Sequence, residues 1–254
     1  MSEINFRERG TGSPVILLHG FPMNRTVWDS FAAELSKDFK VLTPDLPGFG
    51  ESPLLEAPFS LDEVGQKLYG WIQENRLENA VLIGHSLGGY VALAMVERNP
   101  DGYSGLGLFH STAYADSAER KQSRTKVLDF IDNNGVLAFT SNFIPPLFFN
   151  ARHPDIDKVR AMAVQSTTET VKGYTIAMRE RPDRTAVLEK FSKPVLFLGG
   201  EKDSGIPPET IFQQASKTQK PEVHILEKAA HMGMFENFVG TINIVRAFAR
   251  KCFA

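Results

Sequence analysis

A serine set between two glycines, directly after an aliphatic run, constrains the fold of this chain more than any other feature. Residues 80–90 read AVLIGHSLGGY: the first five are typical of a strand covered on both faces, and the helical pattern that follows is apolar nearly all round up to Arg98. A sharp turn from strand to helix holds Ser86 in strained backbone geometry, and side chains at Gly84 and Gly88 would collide there. A serine that only capped a helix would not require Gly84. The segment therefore predicts a strand, a tight turn that presents Ser86, and a buried helix.

Short apolar runs alternate with amphipathic stretches along most of the chain. Residues 4–9 alternate in the manner of an edge strand, and Ser60 and Glu63 form a capping box that opens a helix. Further strands are predicted at residues 15–18, 40–43, 80–84, 105–109, 194–198 and 223–226. Helical periodicity lies between them, at residues 28–35, 61–72, 87–98 and 238–248. This order predicts an α/β fold with a mostly parallel central sheet and helices on both faces.

One interval breaks the alternation of strands and helices. Between about residues 113 and 188 the sequence shows only helical patterns, at residues 117–133, 154–166 and 168–181. We expect residues 113–188 to form a helical cap, or lid, inserted between two strands of an α/β core made of residues 1–112 and 189–254. Since it leaves the sheet after one strand and returns at the next, it should lie over the carboxyl edge where Ser86 is expected.

A serine hydroxyl is a weak nucleophile unless a base accepts its proton, so the chain must also supply a histidine and an acid. His231 differs from the other five histidines because it lies in a loop between the last predicted strand and the final helix. Asp203 follows the preceding strand, and the loops at the carboxyl ends of parallel strands meet at one edge of a sheet. Glu201 and Asp116 are the alternative acids. We predict Ser86 as nucleophile, His231 as general base and Asp203 as the acid.

The oxyanion that forms when a carbonyl is attacked needs two hydrogen-bond donors. One is the backbone N–H of Leu87, directly after the nucleophile. The other is predicted to be the backbone N–H of Phe21, in the loop LLHGFPM that follows an apolar strand.

The substrate pocket is predicted from large apolar residues near these loops. Six of them crowd into residues 139–149, around a Pro-Pro pair, and we expect most to pack the cap onto the core and at least one to face the serine. The predicted pocket residues are Phe21, Phe143, Phe148 and Met232. The charged stretch ERKQSR at residues 119–124 is interpreted as a solvated helix face.

Several motifs together resemble those of the α/β-hydrolase fold superfamily, over essentially the whole chain. They are HGFP (19–22), DLPGFGES (45–52), GHSLGG (84–89), GGEKDSGIP (199–207) and AAHMGMFEN (229–237). The order Ser86, Asp203, His231 is also the order of the triad in that superfamily. Within that superfamily the chain resembles small members that carry a cap, namely carboxylesterases, enol-lactonases, perhydrolase-type haloperoxidases and C–C hydrolases. It departs from the usual pattern at Ala230, where a glycine is common, and at Asn237, where a proline is common.

The resemblance implies a serine hydrolase that cleaves small, mainly apolar carboxylic esters or lactones through an acyl-enzyme. Members that cleave halides or epoxides use an aspartate nucleophile, and the serine at position 86 argues against both activities. A C–C bond hydrolase or a perhydrolase with the same triad is an alternative. A ligand-binding or signalling protein with residual hydrolysis is another, since receptors of this superfamily keep the triad.

Composition and charge exclude further classes of protein and of binding site. A net charge of −2 gives no electrostatic basis for binding nucleic acid or an anionic membrane, and no apolar stretch reaches the ~18 residues of a membrane span. The N-terminus does not read as a signal peptide, and the single cysteine, Cys252, fits a reducing cytoplasm. No dinucleotide fingerprint, phosphate-binding loop or metal-ligand spacing is found, so we expect no cofactor and no metal. The expected partner is a small ester or lactone, bound by a monomer or homodimer.

Overall fold

The structure is a computed structural model and describes residues 4–254 of the chain. Its strands are β1 (Phe6–Arg9), β2 (Pro14–Leu18), β3 (Lys40–Pro44), β4 (Ala80–His85), β5 (Tyr103–Phe109), β6 (Val195–Gly200) and β7 (Pro221–Leu226). Within the described residues they form one sheet of seven strands in the order β1-β3-β2-β4-β5-β6-β7. β1 pairs antiparallel with β3 at one edge, and all other neighbours run parallel. The predicted α/β class and the edge position of the first strand are confirmed.

Helices pack around this sheet. They are α1 (Asp29–Leu35), α2 (Leu61–Glu74), α3 (Leu87–Arg98), α4 (Ala118–Phe143), α5 (Ile156–Ala163), α6 (Thr168–Glu180), α7 (Thr185–Lys190), α8 (Pro208–Ala215), α9 (Gly233–Glu236) and α10 (Phe238–Phe253). The predicted capping box opens α2, where the Glu63 N–H donates to Ser60 Oγ and the Glu63 carboxylate accepts from the Ser60 N–H. None of the helices in residues 4–254 is both long and apolar enough to cross a membrane.

Helix α4 runs further than the sequence predicts. Helical periodicity predicts an end at Asn133, but the helix continues to Phe143 across a break at Gly135. Gly135 has a φ of 77°, a conformation that glycine adopts readily because it has no Cβ. Beyond the break, Val136 and Phe139 are buried against the core. The burial of these side chains explains why helix resumes after a residue that normally ends one.

Both faces of the sheet are covered because alternate residues of a strand point to opposite sides. In β2, Ile16 and Leu18 belong to one apolar cluster, and Val15 and Leu17 belong to the other. All four side chains are fully buried. This arrangement is why the inner strands read as unbroken apolar runs.

The segment between β5 and β6 carries helices α4 to α7 and lies against loops of the sheet's carboxyl edge. Tyr174 of α6 donates from its hydroxyl to the carbonyl of Pro47, at 2.8 Å. The backbone N–H of His231 donates to the carbonyl of Leu147, at 2.9 Å. The inserted segment is therefore in direct contact with the loop that holds the predicted base.

Candidate active site

The backbone around Ser86 takes the strained turn that its flanking glycines predict. Ser86 has φ 50° and ψ −113°, and its side chain makes no capping hydrogen bond to α3. A Cβ on Gly84 would lie less than 3.0 Å from the backbone of Gly88, and a Cβ on Gly88 would lie equally close to the carbonyl of Leu18. Real Cβ atoms do not approach other atoms so closely. The glycines therefore permit a turn that presents the serine hydroxyl rather than a helix cap.

Pairing between neighbouring strands continues past their ends and aligns the site. The N–H of Ser86 donates to the carbonyl of Phe109 at 2.9 Å, and the N–H of His110 donates to the carbonyl of Leu198 at 2.7 Å. Residues that follow β4, β5 and β6 are thereby held side by side at the carboxyl edge of the sheet.

Asp203 and His231, which lie 28 positions apart in the sequence, meet at this edge. His231 Nδ1 is 2.7 Å from Asp203 Oδ2. The other oxygen, Oδ1, accepts hydrogen bonds from the N–H groups of Gly205 and Ile206 at 2.9 and 3.0 Å. With its Nδ1 proton turned to the carboxylate, His231 keeps Nε2 as a proton acceptor.

The carboxyl group of Asp203 is ionised in this setting. Burial by itself would raise its pKa, but the charges and hydrogen bonds of His231 and His110 outweigh burial and hold the pKa far below its usual value. A group that accepts four hydrogen bonds as a carboxylate is stabilised in that form.

His110 is a member of the site that the sequence analysis did not identify. Its side chain is fully buried, and its Nδ1 lies 3.0 Å from Asp203 Oδ2, the same oxygen that accepts from His231. Its Nε2 accepts the backbone N–H of Gly233 at 3.2 Å, so that the proton of the neutral ring must be on Nδ1. Burial lowers the pKa of His110 despite the neighbouring carboxylate. Its place directly after a predicted strand, at the carboxyl edge where Asp203 and His231 are expected, is the signal in the sequence that could have found it.

His85, next to Ser86, is also buried and supports the loop that holds His231. Its Nε2 lies 2.9 Å from the carbonyl of His231. Burial, followed by the charges of His231 and His110, holds the pKa of His85 well below its usual value. It is a neutral structural group rather than an acid or base.

The predicted oxyanion donors are Phe21 and Leu87. Both residues are buried, and within residues 4–254 neither backbone N–H has a hydrogen-bond partner. Leu87 is the first residue of α3, where the N–H groups have no acceptor inside the helix. Unpaired N–H groups on buried residues are rare, so one directly after Ser86 and one on Phe21 fit a site for a developing anion.

A cavity of about 320 Å³ opens on Ser86 and His231. Its apolar lining comes from both the core and the inserted segment: Phe21, Tyr90, Val127, Phe139, Phe143, Pro146, Leu147 and Met178. Phe21 and Phe143 lie here as predicted, with ring centroids 5.9 Å apart.

Two predicted pocket residues are corrected by the structure. Phe148 stacks on His153, with ring centroids 5.1 Å apart. Phe148 and Met232 are both buried in one apolar core cluster, and Met232 is fully buried. The backbone becomes extended at Phe148, directly after the 3₁₀ turn at Pro145–Leu147, and the Phe148 side chain packs into the core; Met232 is held in the core by its own complete burial. Phe139 and Leu147 line the cavity instead.

The charged stretch at residues 119–124 is largely exposed, as expected, but two of its arginines also reach the cavity. Arg120 and Arg124 line the cavity, and the Arg124 side chain is only 15% exposed. Asp116, one of the alternative acids, hydrogen-bonds to Arg124 and Arg181. Glu201, the other alternative, is exposed and pairs with Lys202. Neither acid hydrogen-bonds to His231 within the described residues.

His110, Asp203 and His231 are also a set of potential metal ligands, with ligand atoms within 4.8 Å of one another. However, the Nδ1 atoms lie 3.0 and 2.7 Å from Asp203 Oδ2. These are hydrogen-bond distances, whereas ligands about 2.0 to 2.2 Å from one zinc ion in tetrahedral geometry would stand further apart. The geometry fits shared protons better than a shared ion.

The sequence matches the family model described as the alpha/beta hydrolase family over residues 15–240. The chain therefore belongs to the α/β hydrolase family. The resemblance inferred from the five motifs is confirmed.

Individual relatives agree with this assignment. The pimeloyl-[acyl-carrier protein] methyl ester esterase of Vibrio vulnificus is 30% identical over 249 residues, covering 91% of this chain and 91% of that protein. A component of the acetoin cleaving system of Pseudomonas putida, a dihydrolipoyllysine-residue acetyltransferase, is 26% identical, and the match covers 94% of this chain but 64% of that protein. A thermophilic esterase from Thermogutta terrifontis, solved with malate bound, is 33% identical with a TM-score of 0.93, covering 99% of this chain and 94% of the other.

Proposed function

We propose that this protein hydrolyses small carboxylic esters or lactones through an acyl-enzyme on Ser86. The observation that carries the proposal is the convergence of three groups: Ser86 and His231 open on one cavity, and His231 is hydrogen-bonded to the buried carboxylate of Asp203. The names of the Vibrio vulnificus and Thermogutta terrifontis relatives, both esterases, support the same chemistry.

The reaction follows from the tautomer of His231. Its Nε2 takes the proton of the Ser86 hydroxyl as Oγ attacks the ester carbonyl, and the oxyanion accepts hydrogen bonds from the N–H groups of Phe21 and Leu87. When the intermediate collapses, the C–O bond to the alcohol breaks and the imidazolium gives the alcohol its proton. A water molecule then attacks the acyl-enzyme and loses its proton to His231. When this second intermediate collapses, the bond between the acyl carbon and Ser86 Oγ breaks, the imidazolium returns its proton to Oγ, and the acid is released. Asp203 stays ionised throughout and stabilises the imidazolium.

The size of the cavity and its apolar lining support small substrates. About 320 Å³ is at the lower end of the volumes of ligand pockets. Residues 113–188 act in this proposal as the predicted cap, because Phe139 and Phe143 of α4 and Met178 of α6 form one side of the cavity. A substrate would lie between these side chains and the nucleophile.

The test is the hydrolysis of p-nitrophenyl acetate and butyrate by the purified protein and by Ser86→Ala. The variant should lose on the order of 10⁴- to 10⁶-fold in kcat while keeping its fold. Ser216→Ala is the matched control, since Ser216 is exposed and bonds only within its own helix turn. A fluorophosphonate probe should label the parent at Ser86 and leave Ser86→Ala unlabelled.

Other outcomes separate the alternatives. Many turnovers per second favour an esterase, whereas a single slow burst favours a ligand-binding protein with residual hydrolysis. Activity of Ser86→Ala within tenfold of the parent would refute the nucleophile. A panel of esters, lactones and peracid formation distinguishes hydrolysis from perhydrolysis.

A further inference from the structure

Three guanidinium groups surround one buried carboxylate at the wall of the cavity. Asp116 accepts hydrogen bonds from Arg124 and Arg181, and Arg120 Nε lies 3.9 Å from Asp116 Oδ1. Burial would raise the pKa of Asp116, but its arginine partners outweigh burial and the pKa lies below its usual value. The cluster therefore carries one negative and three positive charges.

The described residues that line the cavity do not offset this excess. Among the described residues that line the cavity, Asp203 is the only acid, and both of its oxygens are already engaged by four donors. Arg120 and Arg124 are the only cations among those same lining residues. The charged groups among these lining residues thus leave the cavity with a net positive charge.

Helix stability does not account for this placement. Arg120 lies in the first turn of α4, where its N–H donates to the capping hydroxyl of Ser117. The helix macrodipole is positive at this end, so a cation there is unfavourable. Arg124 follows one turn later on the same side.

Arg120 is also close to the predicted triad. Its Nη1 donates to the carbonyl of Gly205 at 3.3 Å. Arg120 Nη2 and His231 Nδ1 lie 3.8 and 4.0 Å from the position that a Cβ on Gly205 would occupy. The guanidinium and the imidazole therefore both lie next to Gly205, and the side chain of Arg120 is 46% exposed.

Resting on the proposed ester hydrolysis, we infer that the preferred substrate carries a carboxylate remote from the scissile carbonyl, and that Arg120 and Arg124 bind it. A guanidinium presents N–H groups in a planar fork that matches a carboxylate. The stretch between the carboxylate and the ester would lie against Phe21 and Phe143. This refines the expectation of a mainly apolar substrate, because two arginines share the lining with the apolar side chains.

The experiment compares anionic esters with neutral esters of the same shape. The acyl series is monomethyl succinate, glutarate and adipate, each against the methyl ester of its monoamide. The alcohol series is 3-acetoxypropanoate and 4-acetoxybutanoate against their amides. In at least one series kcat/KM should favour the carboxylate about fivefold, and the ratio should fall toward one in 1 M NaCl, which screens exposed charges.

Variants of Arg120 link the preference to the guanidinium. Arg120→Gln should lower the carboxylate-to-amide ratio about fivefold, and Arg120→Lys should retain part of it. Arg98→Gln is the control, because it removes the same charge from an exposed position at the end of α3 and should leave the ratio unchanged.

The outcomes distinguish this inference from the function on which it rests. Equal rates for carboxylates and amides in both series, or a ratio that Arg120→Gln does not change, would overturn the arginine subsite while ester hydrolysis stands. No hydrolysis of any ester, acetate and butyrate included, would overturn the proposed function itself.

Discussion

His110 Nδ1 lies 3.0 Å from Asp203 Oδ2, so the carboxylate oxygen that orients the predicted base is shared with a second, fully buried imidazole. Since His110 Nε2 is held by the N–H of Gly233, the ring cannot turn away from the carboxylate without losing a second hydrogen bond. We interpret His110 as a positioning residue that acts on the reaction through Asp203.

Replacing His110 should reduce the rate more than it reduces substrate binding. In His110→Phe, Asp203 loses a donor and the Gly233 N–H loses its acceptor, so we expect kcat to fall about tenfold with KM nearly unchanged, and the free energy of unfolding to fall by about 1 to 3 kcal/mol. His110→Asn, whose amide can donate near the position of Nδ1, should recover part of kcat. Steady-state kinetics and urea unfolding of both variants measure these effects. An unchanged kcat in His110→Phe would contradict the positioning role.

Asp203→Asn should abolish most activity. Four donors converge on the two oxygens of Asp203, and an amide offers only one oxygen, so that an NH₂ group must face either the imidazoles or the N–H groups of Gly205 and Ile206. We expect kcat to fall about 10⁴-fold because His231 loses the acceptor that sets its tautomer. Glu201→Gln, in an exposed neighbour, is the control. A normal rate in Asp203→Asn would move the acid of the triad to another residue.

The free energy of unfolding should decrease as the pH falls below neutral. Burial is the largest cause that lowers the pKa of His19, of His85 and of His110. An exposed imidazole has a pKa near 6.5, so below about pH 6.5 the unfolded chain binds protons that the folded chain does not. Stability is therefore fully present above that pH and is lost toward pH 5, by up to about 1.4 kcal/mol per pH unit for each histidine.

Urea unfolding at pH 7.5, 6.5, 5.5 and 5.0 measures this dependence. His85→Gln, which has no proton to take up, should show a shallower slope whatever its stability at pH 7.5. A free energy of unfolding that is constant or rises toward pH 5 would contradict the prediction.

A matched pair of substitutions, at Phe143 and at Phe148, distinguishes a side chain that lines the cavity from one that packs in the core. Phe143 lines the cavity, so Phe143→Ala should change the ratio of butyrate to acetate rates, in which each buried methylene contributes about 0.8 kcal/mol, or roughly fourfold. Phe148 is buried outside the lining, so Phe148→Ala should leave that ratio unchanged and lower the free energy of unfolding by about 3 to 5 kcal/mol. Chain-length kinetics and thermal unfolding distinguish the two. The same change of ratio in both variants would contradict this assignment.

Local patterns in the sequence were sufficient for the fold and for much of the candidate site. The strand, the glycines at 84 and 88 and the buried helix predicted the turn at Ser86. A Cβ on Gly84 would meet the nearby backbone of Gly88, which is a local constraint, whereas a Cβ on Gly88 would meet the carbonyl of Leu18 in β2. The alternation of strands and helices predicted the parallel sheet, and the carboxyl edge of such a sheet predicted where Asp203 and His231 would meet.

Tertiary structure alone decided the rest. His110 reaches Asp203 only because β5 and β6 pair in one particular register. The 93 positions that separate these two residues in the sequence do not reveal that register. Likewise, the rotation of α4 turns Arg120 and Arg124 toward the cavity, and the turn at Pro145–Leu147 turns Phe148 away from it. A sequence specifies which side chains are available, whereas the direction in which a helix face points depends on every element packed against it.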